Sequence, residues 1–356
     1  MSQHPHFIHT TYNLFTMKTT ATLFLALILL TNCGMMKNSA EKAPLLTPEI
    51  VLAHLHNGKA KKVIIDSDTY NEMDDQYAVA YALGNPNMEV ISINAAPFHN
   101  DRSTSYEDGM EKSYHEIMRV LKVCGKDKND YPVWKGSPKR IGESSGFTPV
   151  ASPAAENIIR LAKKAKEPIY VLCLGAATNV ASAVLMEPSI RNKIVVVWLG
   201  TNFSDAGHQG EFNLVQDYRA GQILLNSKVP LVLLPASGKD NKGTQVLSVD
   251  QEEVKNIKGN SYAALFFREQ LPHEFKQTTG NWWHILWDIA APGLVSCPDA
   301  FELEIIPSPV LTEERNLVED HTRHNIIRMK RVDPKIIRAD AFRSISALKG
   351  CSERMF

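Results

Sequence analysis

The sequence predicts an α/β fold: a Rossmann-like, mostly parallel sheet with helices on both faces. Two observations carry this. Short, fully apolar runs of strand length alternate with longer stretches of helical periodicity. Apolar runs without polar alternation belong to strands buried on both faces, as in α/β proteins. No repeat or low-complexity tract interrupts the alternation. The strand runs are KVIIDSD at 62–68, MEVISINA at 88–95, PIYVLCLG at 168–175, KIVVVWLG at 193–200 and VPLVLLP at 229–235. Helical patterns lie between and after them at 75–83, 106–123, 153–166, 179–186 and 218–226. Beyond Pro235 the pattern loosens, with helices expected near 250–271 and 335–347 and strands at 301–306 and 325–331.

The chain has 356 residues, of which 44% are apolar, enough to bury the core of one large domain. That domain is expected to span 47–356. Lys+Arg and Asp+Glu both number 39, a formal net charge of zero. This balance argues against a nucleic-acid partner or an anionic membrane surface.

The N-terminus differs from the rest. ATLFLALILL at 21–30 is too short to span a bilayer comfortably but suits the apolar region of a signal peptide. Lys18 precedes it, and LLTNC ends on Cys33. The arrangement resembles a bacterial lipoprotein signal, with Asn32 where a small residue is usual. Residues 1–33 are therefore expected to be a signal peptide, with 1–16 an over-long start before Met17. Residues 34–46, GMMKNSAEKAPLL, form a polar tether that turns apolar only at its end. The expected location is the periplasmic face of a bacterial membrane, anchored through acylated Cys33. The other four cysteines show no C-x-x-C spacing, so no zinc site is expected and no disulfide pairing follows from the sequence.

The first strand ends unusually. VIIDSDTYNEMDDQYA, 63–78, holds Asp66, Asp68, Glu72, Asp74 and Asp75. Acidic residues at a helix start cap it and complement its dipole, which accounts for Asp74 and Asp75 but not for Asp66 and Asp68. Carboxylates crowded across a tight loop repel and raise one another's pKa values. A hard divalent cation relieves that repulsion, and the absence of Cys and His in the stretch points to oxygen-ligated calcium rather than zinc.

D-x-D, a short loop, then D-D-x-x-A at the end of a first strand resembles the nucleoside hydrolase family of the inosine-uridine preferring type. The family's usual loop is D-x-D-P-G-x-D-D; this loop has two more residues and lacks the Pro-Gly. Three further segments carry the same resemblance: LGAATNVASAV at 174–184, GEFNLVQD at 210–217 and WDIAAPGLV at 287–295. The resemblance implies calcium-dependent hydrolysis of the N-glycosidic bond of a ribonucleoside, in a dimer or tetramer. It implies calcium ligands at Asp68, Asp75, Asp288 and the Thr178 carbonyl, with Asp66 steadying the loop from behind. Asp68 would also take the proton of the attacking water. Asp74, Glu211 and Asn213 would contact ribose, with Asn100 and Asp205 matching two ribose-facing asparagines of the family.

The leaving base has less to guide it. The family's histidine before the last calcium aspartate is replaced by Trp287. NWWHILWD, 281–288, gathers Trp282, Trp283, His284 and Trp287. Such a cluster serves core packing as readily as a site. Read as a site, it stacks tryptophan on the base, with Trp283 and Trp287 sharing a face if the segment is helical and purines favoured. His284 and His208 are the alternative proton donors. Two other classes stay open: a haloacid dehalogenase-type phosphatase, because VIIDSDT also resembles a D-x-D nucleophile motif, and a catalytically inactive, lipid-anchored binder of nucleosides or sugars. The phosphatase would leave Asp74 and Asp75 unexplained.

Overall fold

In the computed structural model, which describes residues 46–141, 146–207, 209–276 and 281–350, the apolar runs become the strands of one sheet. Cys33, His208 and Cys351 lie outside the described residues. In chain order the strands are β1 (Lys61–Ser67), β2 (Met88–Ala95), β3 (Val133–Trp134), β4 (Ile169–Cys173), β5 (Ile194–Leu199), β6 (Leu231–Leu234), β7 (Ser248–Asp250), β8 (Trp283–Ile285), β9 (Phe301–Pro307), β10 (Val310–Leu311), β11 (Leu317–Val318) and β12 (Asn325–Val332). Eight of them form the main sheet in the order β3-β2-β1-β4-β5-β6-β12-β9. All neighbours are parallel except β9, which runs antiparallel to β12 at the edge. The order reverses at β1, flanked by β2 and β4. Open α/β sheets bind ligands at such a switch point, outside the strand carboxyl ends.

The helices are α1 (Pro48–Leu55), α2 (Asp74–Gly84), α3 (Tyr106–Val123), α4 (Pro153–Lys164), α5 (Thr178–Met186), α6 (Phe212–Gln216), α7 (Tyr218–Asn226), α8 (Tyr262–Leu265), α9 (Leu271–Lys276), α10 (Ala290–Ser296) and α11 (Pro334–Ser346). Strand alternation divides the core into two layers. Val63 and Ile65 join one with Tyr77, Ile117, Leu294 and Ile337 from α2, α3, α10 and α11. Ile64 joins the other with Ile158, Val180 and Leu224 from α4, α5 and α7. Each fully buried aliphatic side chain contributes about 1.5–3 kcal/mol of transfer free energy. Ser105 and Ser152 cap α3 and α4 by accepting the amides of Asp108 and Ala155.

The structure differs from the sequence reading in three places. The stretch near 250–271 is not one helix. A 3-10 turn at Glu253–Asn256, α8, a π-helical turn at Phe266–Gln270 and α9 share it. Gly259, with φ 88°, breaks the run before α8. Residues 283–285 are a strand, not a helix: β8 pairs antiparallel with β7, and a 3-10 turn follows at Trp287–Ile289. Trp283 and Trp287 therefore share no helix face. The two-residue β3 was not expected, and it pairs parallel to β2.

Candidate active site

The carboxyl ends of β1, β4, β5 and β6 meet the N-terminus of α2 and the 3-10 turn of Asp288 around a cavity of about 290 Å³. Asp68, Asp74, Asp75, Glu211, Asn213 and Asp288 all line it. Local sequence explains each placement. β1 is buried throughout its carboxyl half and releases Asp68 at its end. Met73, not an aspartate, holds the N-cap position of α2 and makes no side-chain cap bond. Asp74 and Asp75 are consequently not spent as caps; they are buried in the first turn, 4% and 1% exposed. Ser67 Oγ donates to Asp75 Oδ1 at 2.5 Å, and the Asp288 amide donates to Asp74 Oδ2 at 3.3 Å.

Burial is the first cause of every carboxyl shift here. Asp75 is pushed up to about 7, with Ser67 and Asp288 hydrogen bonds working against the rise. Asp68 is raised by burial and then by Asp75 and Asp74, Asp74 by burial and then by Glu72 and Asp75, and Asp288 by burial and then by Asp75 and Asp74. Behind the cavity Asp66 is pushed up to about 7 by burial, although Asn179 Nδ2 donates to its Oδ1 at 2.9 Å.

These side chains fit a hard cation. Oxygen atoms of Asp74, Asp75 and Asp288 lie within 4.8 Å of one another. Asp68 Oδ2 is buried with no hydrogen-bond partner. All-carboxylate donors suit calcium or magnesium rather than a soft metal.

Glu211 and Asn213 form the opposite wall. Glu211 caps α6, accepting the amides of Asn213 and Leu214 at 2.8 Å and of Thr201 at 3.1 Å. Burial still pushes it up to about 7. Asn213 Nδ2 donates to the carbonyls of Leu174 at 2.7 Å and Leu199 at 3.1 Å, tying α6 to the ends of β4 and β5. Asp217 at the end of the same segment accepts from the Ile141 amide at 2.9 Å and Thr178 Oγ1 at 2.7 Å.

The structure does not bring every sequence-derived residue to the cavity. Thr178 opens α5 and is buried, its Oγ1 donating to Asp217, while Leu174, just after β4, lines the cavity. Asp205 is exposed in the loop after β5 and faces Lys242 Nζ at 3.4 Å. Asn202 lines the cavity from that loop, because its turn keeps a different spacing to Glu211 than the family pattern supplies. Asn100 stands one layer back, donating from Nδ2 to Asn71 Oδ1 at 2.6 Å, and Asn71 is the residue at the wall. His284 projects from β8 toward Glu72, with Nε2 3.3 Å from Oε2, and is not part of the lining. Trp287 is half-buried and lines the cavity, Trp282 packs on the core, and Trp283 is 68% exposed. Sequence reasoning missed Asn71, Glu72, Asn202 and Phe212. The first two sit in the lengthened loop, and Phe212 lies inside the E-F-N segment that drew attention for its polar members alone.

Residues 63–335 match the family model described as inosine-uridine preferring nucleoside hydrolase. The chain belongs to that family. Nucleoside hydrolases act on N-glycosidic bonds, and the acidic cluster could hold the metal ion that this family binds. The chain is 25% identical over 280 residues to the pyrimidine-specific ribonucleoside hydrolase RihA of Salmonella choleraesuis, covering 72% of this chain and 83% of that protein. With the protein of the same name from Citrobacter koseri it is 25% identical over 197 residues, 49% of this chain and 59% of that protein, so less than two thirds of that relative is spanned. In fold it is similar to the purine-preferring ribonucleoside hydrolase from Gardnerella vaginalis, with a TM-score of 0.60 at 19% identity over 81% of this chain and 99% of that one. Within the nucleoside hydrolase family, Asp74 and Asp75 at the cavity have a place that the phosphatase reading did not give them.

Proposed function

We propose that this chain hydrolyses the N-glycosidic bond of ribonucleosides, releasing ribose and free base, with calcium held by Asp68, Asp75 and Asp288. The observation that carries the reading is the convergence of these three carboxylates with Asp74, Glu211 and Asn213 on one cavity. A bound dication would orient the sugar hydroxyls and a water and make that water easier to deprotonate. Asp68 accepts the water's proton. Asp74, Glu211 and Asn213 hold the ribose, and the negative charge of the two carboxylates favours the oxocarbenium-like transition state. Trp287 and Phe212 supply aromatic faces for the base, which supports a preference for the larger purine ring.

The test is release of ribose from inosine, guanosine, uridine and cytidine, with chelator and with calcium restored. Turnover lost to chelator and recovered with calcium supports the reading. Tight nucleoside binding without ribose release favours the inactive binder. Export and lipid anchoring at Cys33 are a separate proposal, resting on the apolar run before that residue. Wild type in the membrane fraction and Cys33→Ser in the soluble fraction is the expected result.

A further inference from the structure

Ser67 and Thr69 flank Asp68 where the chain leaves β1, and both are fully buried. Ser67 Oγ lies 2.5 Å from Asp75 Oδ1 and 2.5 Å from Thr69 Oγ1. These two contacts order the protons. An ionised carboxylate only accepts, and a hydroxyl has one proton to give. Ser67 gives its proton to Asp75, so Thr69 is the donor in the other contact. The result is a directed chain from Thr69 Oγ1 to Ser67 Oγ to Asp75 Oδ1.

The chain ends on a side chain that its charged neighbours cannot orient. Asp75 is buried, and Asp68, Glu72 and Asp288, which act on it, are carboxylates as well. Ionised, they repel it. A serine hydroxyl alone is a loose tether, because it rotates about its Cβ–Oγ bond. A donor behind it removes that freedom, and successive hydrogen bonds polarise one another.

Thr69 stands where the usual loop of the family has proline, and proline carries no hydroxyl. The rest of the lengthened loop is held through its main chain. The Asn71 amide donates to the Asp68 carbonyl at 2.7 Å, and Arg102 Nε donates to the Tyr70 carbonyl at 2.9 Å. Those two bonds set the path of the loop without touching the Asp75 side chain. The Thr69 hydroxyl acts on that side chain through Ser67.

We propose, building on the calcium-dependent reading above, that Thr69 is a positioning residue for the metal ligand Asp75. Its hydroxyl fixes Ser67, and Ser67 fixes the carboxylate, so a hydrogen-bonded pair does in this loop what a rigid proline cannot do. Groups that orient a ligating carboxylate are typically worth about 10–100-fold in metal affinity.

The experiment is calorimetric titration of the chelator-treated full chain with calcium, which reads metal affinity without turnover. Ser67→Ala is expected to weaken calcium binding by about 10–100-fold. Thr69→Val keeps the side-chain shape without the hydroxyl and should weaken it by roughly threefold to tenfold. Thr69→Ser returns a hydroxyl and should restore most of that loss. Because Thr69 acts through Ser67, Thr69→Val should add no further loss to Ser67→Ala. Thermal melts in chelator separate positioning from packing: a hydroxyl that only supports the loop would lower the melting temperature there and leave calcium affinity unchanged. Wild-type calcium affinity in Thr69→Val, or a loss of equal size with and without the Ser67 hydroxyl, overturns the inference and leaves the hydrolase reading intact. Calcium binding as expected but no ribose release from any nucleoside removes the hydrolase reading and leaves this inference standing. A wild type that takes up no calcium overturns this inference together with the calcium dependence on which it rests.

Discussion

Gly175 lies directly against the carboxylate of Asp68. A Cβ built on it would sit 3.0 Å from both Asp68 Cγ and Oδ1 and 3.1 Å from Ala96 Cβ. The end of β4 thus sets the position of the proposed base from behind. Gly175→Ala should push that carboxyl aside by a few tenths of an ångström while the strand itself persists. Misplacement of a reacting group is costly out of proportion to its size, so kcat should fall by about tenfold or more with little change in melting temperature. Unchanged kcat in Gly175→Ala would mean that the position of Asp68 is not critical.

The buried carboxyls make stability depend on pH. Asp66, Asp75 and Glu211 are each pushed up to about 7, from 3.8, 3.8 and 4.5. A carboxyl whose folded pKa exceeds its unfolded value holds its proton more tightly in the native state. The stability it contributes is full below the unfolded value and is lost as pH rises through the folded one. Asp68, Asp74 and Asp288 are shifted in the same direction. The metal-free protein should therefore lose roughly 5 °C or more of melting temperature between about pH 5 and pH 7.5. Calcium, by binding the ionised forms, should flatten that slope. Thermal melts in chelator and in calcium measure both. A chelated protein whose melting temperature rises over the interval would contradict the assignment.

Much of this was legible in the sequence where the signal is local. β2, α3 and α7 match their predicted bounds because apolar periodicity and caps lie within the segment itself. Asp68, Asp75 and Asp288 were legible as carboxylates at strand ends or helix starts. What escaped is held by distant partners. The loop around Asn71 and Glu72 takes its shape from Arg102, Phe275 and His284, none of them near in sequence. Trp283 would share a face with Trp287 only if the segment were helical, and backbone pairing of β8 with Ser248–Asp250 makes it a strand instead. Asp205 stood for a ribose contact by counting back from Glu211. Counting fails in a loop whose path is set by hydrogen bonds such as the Asn202 amide to Gln209 Oε1 at 2.6 Å.

Asp68 and Asp74 separate chemistry from recognition. Asp68→Asn removes a proton acceptor and one negative charge without changing shape. A positioned general base is worth about 10²–10⁴-fold, so kcat should fall at least that far. Asp74→Asn should instead raise KM by roughly tenfold or more, because a charged acceptor for sugar hydroxyls is lost. Metal content must be measured in both variants, since an Asp68 variant that merely loses calcium does not report on the base. Retained calcium with near-normal turnover in Asp68→Asn would remove Asp68 from the chemistry.

The tryptophans divide by position. Trp287 lines the cavity and is half-buried, whereas Trp283 is 68% exposed on the three-residue β8. Removing a stacked ring costs about 1–3 kcal/mol per base by alanine substitution in nucleic-acid sites, so Trp287→Ala should lower kcat/KM by roughly tenfold to a hundredfold. Trp283→Ala should stay within about twofold, because its ring buries little surface and faces no part of the cavity. Phe212 provides the second aromatic surface at the cavity. Phe212→Leu keeps bulk while losing the π-face and should fall between the other two. His284→Gln tests the rival account, in which base departure depends on a proton from the histidine near Glu72. Under stacking its loss is smaller than that of Trp287→Ala and does not deepen for the poorest leaving groups. If His284→Gln abolishes turnover of uridine while Trp287→Ala is mild, the leaving base depends on proton donation and the stacking account is wrong.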